Sequence, residues 1–199
     1  MGLLNKDTFV CIDLETTGLD PNNDRIIEVA IIRFRFDAIL ERFETLIDPE
    51  TIIPESSIAI HKITPNMLVG KPKIKEVLPK ILTMLEDTMI VGHGVGFDIA
   101  ILLAALQRAC ISSPKKIPFI DTLRMARIYG ESPTNSLEKL REHFHIQLEG
   151  AHRAMNDVIV NIEVFKKLAK SYKKTEDILK ALSKPIKLAK MPLGKHKGR

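Results

Sequence analysis

Apolar residues first gather in three closely spaced runs. Residues 8–15 (TFVCIDLE) are almost continuously apolar, broken only by Asp13 and Glu15, which predicts a buried strand with two carboxylates near its end. Residues 25–36 (RIIEVAIIRFRF) are β-branched and then alternate, and residues 39–47 (ILERFETLI) alternate throughout. The connections are short, so these runs predict an antiparallel meander. Between the first two, residues 16–24 (TTGLDPNND) are turn chemistry. Residues 49–65 show no period and are expected to be irregular. Helical spacing returns at 74–85, where Pro79 leaves a late start or a kink open. A short strand at 88–92 follows, then an apolar helix at 97–110 and a fifth strand at 118–121. Further helices are expected at 122–129, from a Ser136 cap through 144, at 154–170 and at 175–182. Strands first, then strands alternating with helices, predict an α/β chain whose mixed sheet carries helices on its faces.

Composition adds bounds rather than detail. The 199 residues, 45% hydrophobic and 28% charged, suit one globular domain with a short appendage. No apolar run approaches the roughly 20 residues of a membrane span. The opening MGLLNKD lacks the pattern of a signal peptide, and Lys6 stands where a myristoylation motif wants Ser or Thr. A cytoplasmic protein without a membrane partner is expected. Cys11 and Cys110 form no framework and are both expected to be small buried hydrophobes.

Charge changes the picture more. From residue 166 onward twelve Lys or Arg face only Glu176 and Asp177, whereas the preceding part carries a net of about −5. A basic tail on an acidic body suggests a polyanionic partner, and equally fits a solvated terminus. Residues 184–199 hold six basic side chains and no acidic one. They read as a linker or the opening of a further region.

The candidate chemistry lies in the carboxylates. Asp13 and Glu15 are two apart on a strand, so both leave the same face. Two adjacent carboxylates in an apolar strand are costly unless something neutralises them, and oxygen-only donors suit Mg2+ or Mn2+ rather than zinc. A solvated strand end is the plain alternative. Asp98 opens an apolar helix after the Gly-rich turn GHGVGFD, where a carboxylate is ordinary. His152 and Asp157 are five apart, so at about 100° per residue they fall some 140° from each other on an unbroken helix. For them to act together, His152 must lie in the loop or first turn and Asp157 inside the helix. A surface histidine and a solvated aspartate are the alternative.

Taken in order, FVCIDLETTGLD, VGHGVGFD and HRAMND resemble the three sequence motifs of the DEDDh exonucleases, the family of ribonuclease T and of the proofreading epsilon subunit of bacterial replicative DNA polymerase III. IHKITPNM and NSLEKL resemble two lesser elements of that family. The resemblance spans about residues 9–165. It implies a ribonuclease-H-like fold, a five-stranded mixed sheet flanked by helices, with residues 1–172 as the exonuclease domain and 173–199 as a basic C-terminal segment. It implies two divalent metal ions, Mg2+ or Mn2+, held by Asp13, Glu15, Asp98 and Asp157, with Asp13 bridging both and Asp98 acting through water. His152 would be the general base. Thr16 and the backbone near Thr17 would touch the terminal sugar, His61 its 3′ side, and Leu19 and Phe97 the terminal bases. The two apolar residues fit plain core as well.

The implied activity is 3′→5′ release of 5′-mononucleotides from single-stranded DNA ends in repair or proofreading, with a DNA polymerase subunit as a protein partner. RNA 3′ ends, an inactive nucleic-acid-binding or polymerase-docking module, and a metal phosphohydrolase acting on free nucleotides are the alternatives. The chain departs from the family pattern at Gly94, where many members carry Asn, and at Lys62, where Gly is usual. Residues 190–199 (KMPLGKHKGR) are similar to a Pro-x-Gly-Lys-x-Lys-Gly element that follows the domain in some bacterial relatives.

Overall fold

The computed structural model describes residues 3–114, 116–130, 134–147 and 153–185. The first apolar runs pair as the spacing predicts. Strands β1 (Phe9–Thr16), β2 (Ile26–Phe34) and β3 (Ile39–Leu46) form an antiparallel meander. Strands β4 (Met89–Gly92) and β5 (Phe119–Asp121) then add parallel on the other side of β1, giving the order β3-β2-β1-β4-β5. Parallel neighbours need long crossovers, and the chain supplies them through helices α1 (Glu55–His61), α2 (Pro65–Leu68), α3 (Ile74–Leu85) and α4 (Gly96–Arg108). Helices α5 (Thr122–Tyr129), α6 (Leu137–His143), α7 (Ala154–Leu168) and α8 (Thr175–Leu182) follow. This is the five-stranded mixed sheet flanked by helices that the sequence implied.

Strand alternation divides the interior in two. Val10, Ile12 and Leu14 of β1 and Val29 and Ile31 of β2 face α3 and α4. Phe9, Cys11, Ala30, Ile32 and Phe34 face the opposite way, where α7 lies. Phe9, Phe34 and Phe165 of α7 meet there with ring centroids 5.2–6.2 Å apart. Each is fully buried, and burial of such a side chain contributes about 1.5–3 kcal/mol. Asp13 and Glu15 continue the parity of Phe9 and Cys11, so the aromatic cluster holds α7 against the face of β1 that carries the carboxylates.

Two local expectations need correction, and one left open at Pro79 is answered. Residues 49–65 are not wholly irregular: α1 and α2 form there, too short to show a period in the sequence. Helix α3 is continuous through Pro79, whose lost hydrogen bond falls on the exposed side of the helix. Helix α4 stops at Arg108, and Cys110 is exposed rather than buried. Cys110 takes the left-handed position (φ 56°) of a helix C-cap in which its N–H donates to Gln107 O and Ile111 N–H donates to Leu106 O. Apolar periodicity cannot see that stop, because Ile111 resumes the packing just beyond it. Cys11 is buried as expected.

Helix α8 lies in the stretch read as the C-terminal segment, and it packs on the body. Ile178 is fully buried, Thr175 Oγ1 donates to Asp7 Oδ2 (2.6 Å), and Leu4 N–H donates to Lys173 O (3.0 Å). Among the described residues no helix is long and apolar enough to cross a membrane. The basic stretch from 186 to 199, with its KMPLGKHKGR element, lies outside the described residues, as does His152.

Candidate metal centre

The site forms where β1 outruns its neighbour. The last register pair of β1 with β4 is Cys11↔Val91, so β1 continues beyond β4 through Asp13 and Glu15. The Leu14 N–H there donates to Asp98 Oδ1 (3.1 Å), which ties the first turn of α4 to the strand. On the α7 face, one carboxylate oxygen from each of Asp13, Glu15 and Asp157 lies within 4.8 Å of the others. Asp157 sits in the first turn of α7, where the helix dipole favours negative charge. Two residues from a strand and one from a helix about 140 positions later thus converge. Asp98 is buried beside them but does not belong to that close set.

Crowded carboxylates resist ionisation together. Burial, then the charges of Asp98, Asp157, Glu15 and Glu28, hold the Asp13 carboxyl well above the ordinary range. Burial, then Asp157, pushes Glu15 up to about 7. Burial raises Asp98 to about 7 against the pull of the bond from Leu14 N–H. Oxygen-only donors, clustered, half-buried and reluctant to carry charge unaided, fit a hard divalent cation. The donor set therefore suits the Mg2+ or Mn2+ that the resemblance implies.

Behind the triad a buried polar chain fixes α7. Asn161, one turn after Asp157, has its Nδ2 3.4 Å from Cys11 Sγ and its Oδ1 2.6 Å from Thr122 Oγ1. Thr122 Oγ1 is 3.1 Å from Nδ1 of His93, whose Nε2–H donates to Asn135 O (2.8 Å). Gly94 follows with φ 70°, and its N–H donates to Asp121 Oδ1 (2.9 Å). That left-handed backbone is open to Gly and Asn alike, so the exchange of Asn for Gly preserves the turn.

The turn after β1 is built around Asp24. Thr17 Oγ1 donates to Asp24 Oδ1 (2.8 Å) and accepts from Arg25 N–H (3.0 Å), and Asp20 N–H donates to Asp24 Oδ2 (2.8 Å). A Cβ on Gly18 would strike the Asp24 carboxylate at 2.5 Å, so a side chain there would push Asp24 out of these bonds. Arg108 of α4 clamps the turn from outside through Pro21 O (2.8 Å), Asn22 O and Asp24 O. Thr16 Oγ1 donates to Gly18 O (2.7 Å). The Thr17 backbone is engaged on both sides, its N–H by Arg25 O and its C=O by Ser57 Oγ of α1.

Of the expected contacts to a nucleotide, Leu19 is 84% exposed at the tip of this turn, so it is not core. Phe97 is half-buried against the α3–α4 side of the sheet. His61 ends α1 and is buried; its Nδ1 accepts from Ile63 N–H (2.9 Å), which places the ring proton on Nε2. That Nε2–H has no partner among the described residues. Burial lowers the His61 pKa, opposed by Glu28. Helix α7 begins at Ala154, two positions after His152 in the sequence.

Sequence reasoning missed Asp24, Arg108, Glu28 and Arg153. Glu28, a lone acid inside the apolar run IIEVAII, was the one visible signal. It is fully buried and ion-paired with Arg153.

Residues 10–165 match the model of the RNase_T exonuclease family. The chain is similar to DNA polymerase III subunit epsilon of Aquifex aeolicus, 36% identical over 162 residues that cover 81% of this chain and 80% of that protein. It is also similar to DNA polymerase III PolC-type of Clostridium perfringens, 33% identical over 194 residues. That match takes in 94% of this chain but only 13% of the relative's length. Among solved structures, the zinc-bound E. coli exonuclease I–ssDNA complex superimposes with a TM-score of 0.76 at 24% identity, covering 88% of this chain and 42% of that one. Exonuclease X in complex with 5′ overhanging duplex DNA gives 0.69 at 22% identity, covering 88% and 99%. At that identity the two structures speak for the fold.

Proposed function

This chain belongs to the RNase_T exonuclease family and is an enzyme of its 3′→5′ exonuclease type, and from that premise we propose that it releases 5′-mononucleotides from single-stranded DNA 3′ ends by two-metal-ion hydrolysis. The observation that carries the reading is the convergence of Asp13, Glu15 and Asp157 within 4.8 Å. These three, with Asp98 acting through water, would hold two Mg2+ or Mn2+ ions. Bound there, the cations would supply the positive charge that stabilises the attacking and leaving oxygens of an in-line displacement.

The protein's own groups do the rest. Asp98, bonded to the β1 backbone, sets α4 and the strand at a fixed distance. The Asp24-centred turn presents the Thr16 and Thr17 region to the terminal sugar, on the side held by Ser57 and Arg108. The His61 Nε2–H is a buried donor awaiting an acceptor, which suits an oxygen at the 3′ side of the nucleotide. Leu19 and Phe97 offer apolar surface to bases, a contact that tolerates any sequence. His152, adjoining Arg153, would take a proton from the attacking water; an imidazole with an ordinary pKa near 6.5 is matched to that task near neutral pH.

Residues 1–172 would form the exonuclease domain, with 173–199 a basic segment that adds nucleic-acid affinity through counterion release. The likeness to DNA polymerase III proteins supports a DNA polymerase subunit as partner, and the proposed role is proofreading or repair in the cytoplasm.

The test is a 3′-labelled strand, DNA or RNA, incubated with Mg2+ or Mn2+ and again with excess chelator. Labelled mononucleotide from the DNA strand, released only with free metal, is the expected product. Internal fragments, or an RNA strand consumed while DNA survives, would overturn the assignment.

A further inference from the structure

We propose that the Glu28–Arg153 ion pair is a positioning device that sets the start of α7, and with it Asp157, for hydrolysis. The inference rests on the exonuclease reading and names two residues that reading does not use.

Glu28 stands opposite Glu15 in the β1–β2 register, so its side chain rises on the face that carries Asp13 and Glu15. Its carboxylate is fully buried, a position that demands partners. All the partners described lie at one place, the point where the chain enters α7. Arg153 Nη2 donates to Glu28 Oε1 (2.7 Å), and Arg153 Nε to Oε1 (3.0 Å) and less closely to Oε2 (3.4 Å). The Ala154 N–H donates to Oε2 (3.2 Å). Arg153 is the N-cap residue of α7 and makes no capping bond with its own side chain. Glu28 supplies from a neighbouring strand the acceptor that a capping Ser or Asp would bring locally. Arg153 also lies 3.8 Å from Glu44 of β3, so two strands hold the helix start.

The consequence falls on the site. Asp157 is three residues past Ala154 in the same first turn, so whatever fixes the Ala154 backbone fixes its carboxylate relative to β1. Stability alone is a poor reason for the pair. A buried ion pair exchanged for apolar residues often leaves a protein as stable as before. This pair also places another acid beside carboxylates already crowded, and its arginine offsets that charge next to Glu15.

The experiment compares wild type, Arg153→Leu, Arg153→Lys and the double variant Glu28→Leu/Arg153→Leu. It reads kcat and KM on 3′-labelled single-stranded DNA at saturating Mn2+, Mn2+ affinity by calorimetry, and Tm. Arg153→Leu should lose both Tm and kcat, because Glu28 is left buried and unpaired. The double variant should regain Tm yet keep kcat lower by roughly 10–100-fold, the usual effect of losing a group that orients a metal ligand or base. Its KM should stay within about threefold of wild type, since no contact to substrate is removed. Arg153→Lys keeps the charge but loses the two-pronged grip, so its Tm should hold while kcat falls. A double variant or an Arg153→Lys variant with wild-type kcat and Mn2+ affinity overturns the inference and leaves the exonuclease reading intact. A wild-type protein that degrades no 3′ end sinks both.

Discussion

Asp13 is the residue on which the site turns. It lies on β1 with a carboxylate oxygen within 4.8 Å of those of Glu15 and Asp157, and burial and its neighbours raise its pKa strongly. Asn at this position keeps the shape and removes the charge. Asp13→Asn should lower kcat by at least about 1,000-fold, as expected when charge stabilisation in the transition state is removed. Steady-state assay on a labelled strand checks it. Glu15 carries a pH signature of its own. Its pKa rises from 4.5 in the unfolded chain to about 7 in the fold. The folded state therefore holds the proton more tightly, and the stabilisation it brings is present below about 4.5 and lost as pH climbs through about 7. Without metal, Glu15→Gln should be more stable than wild type at pH 8, by at least about 2 °C in Tm, with the gap closing by pH 5. Thermal scans at the two pH values decide it; a gap that widens toward acid would contradict the assignment. The sequence revealed Asp13 and Glu15 because strand periodicity alone puts them on one face. It could not reveal the role of Glu28, because a single acid in an apolar strand gives no hint of a partner 125 residues away.

At the scale of elements, what was legible tracks length and repetition. The three strands of the meander, α3, α4 and α7 all carry long enough patterns to be read. The one-turn pieces around 55–68 do not, although α1 delivers His61 and Ser57 to the site. The C-cap of α1 shows why Gly is usual there: Lys62 adopts φ 61°, a left-handed backbone that penalises a side chain. Lys62→Gly should therefore raise Tm by roughly 2–4 °C, the equivalent of about 1 kcal/mol at this length. The clamp of α4 on the turn was equally invisible, since Arg108 acts on backbone carbonyls 84–87 residues earlier. Arg108→Ala should loosen the turn that presents Thr16 and Leu19. KM for single-stranded DNA should rise by about 3–10-fold with kcat little changed, the pattern of lost ground-state binding. A fall in kcat alone would place Arg108 elsewhere in the mechanism.

Over the whole molecule, fold and site are two outcomes of one arrangement. The mixed sheet lets β1 run past β4, and its two faces give α4 and α7 separate anchorages from which Asp98 and Asp157 reach the same strand end. The aromatic cluster of Phe9, Phe34 and Phe165 and the Glu28–Arg153 pair hold that geometry from opposite ends of α7. Without cations the molecule confines acids that repel one another, and with them that cost turns into binding. At pH 8, Mn2+ at about 100 times its dissociation constant should therefore raise Tm by roughly 5 °C or more. Calorimetric titration of Mn2+ into the metal-free protein at that pH tests the central claim most directly. Wild type should bind two ions per chain and Asp13→Asn should bind neither tightly; a variant that takes up Mn2+ as wild type does would show that the carboxylates of β1 and α7 are not where the cations sit.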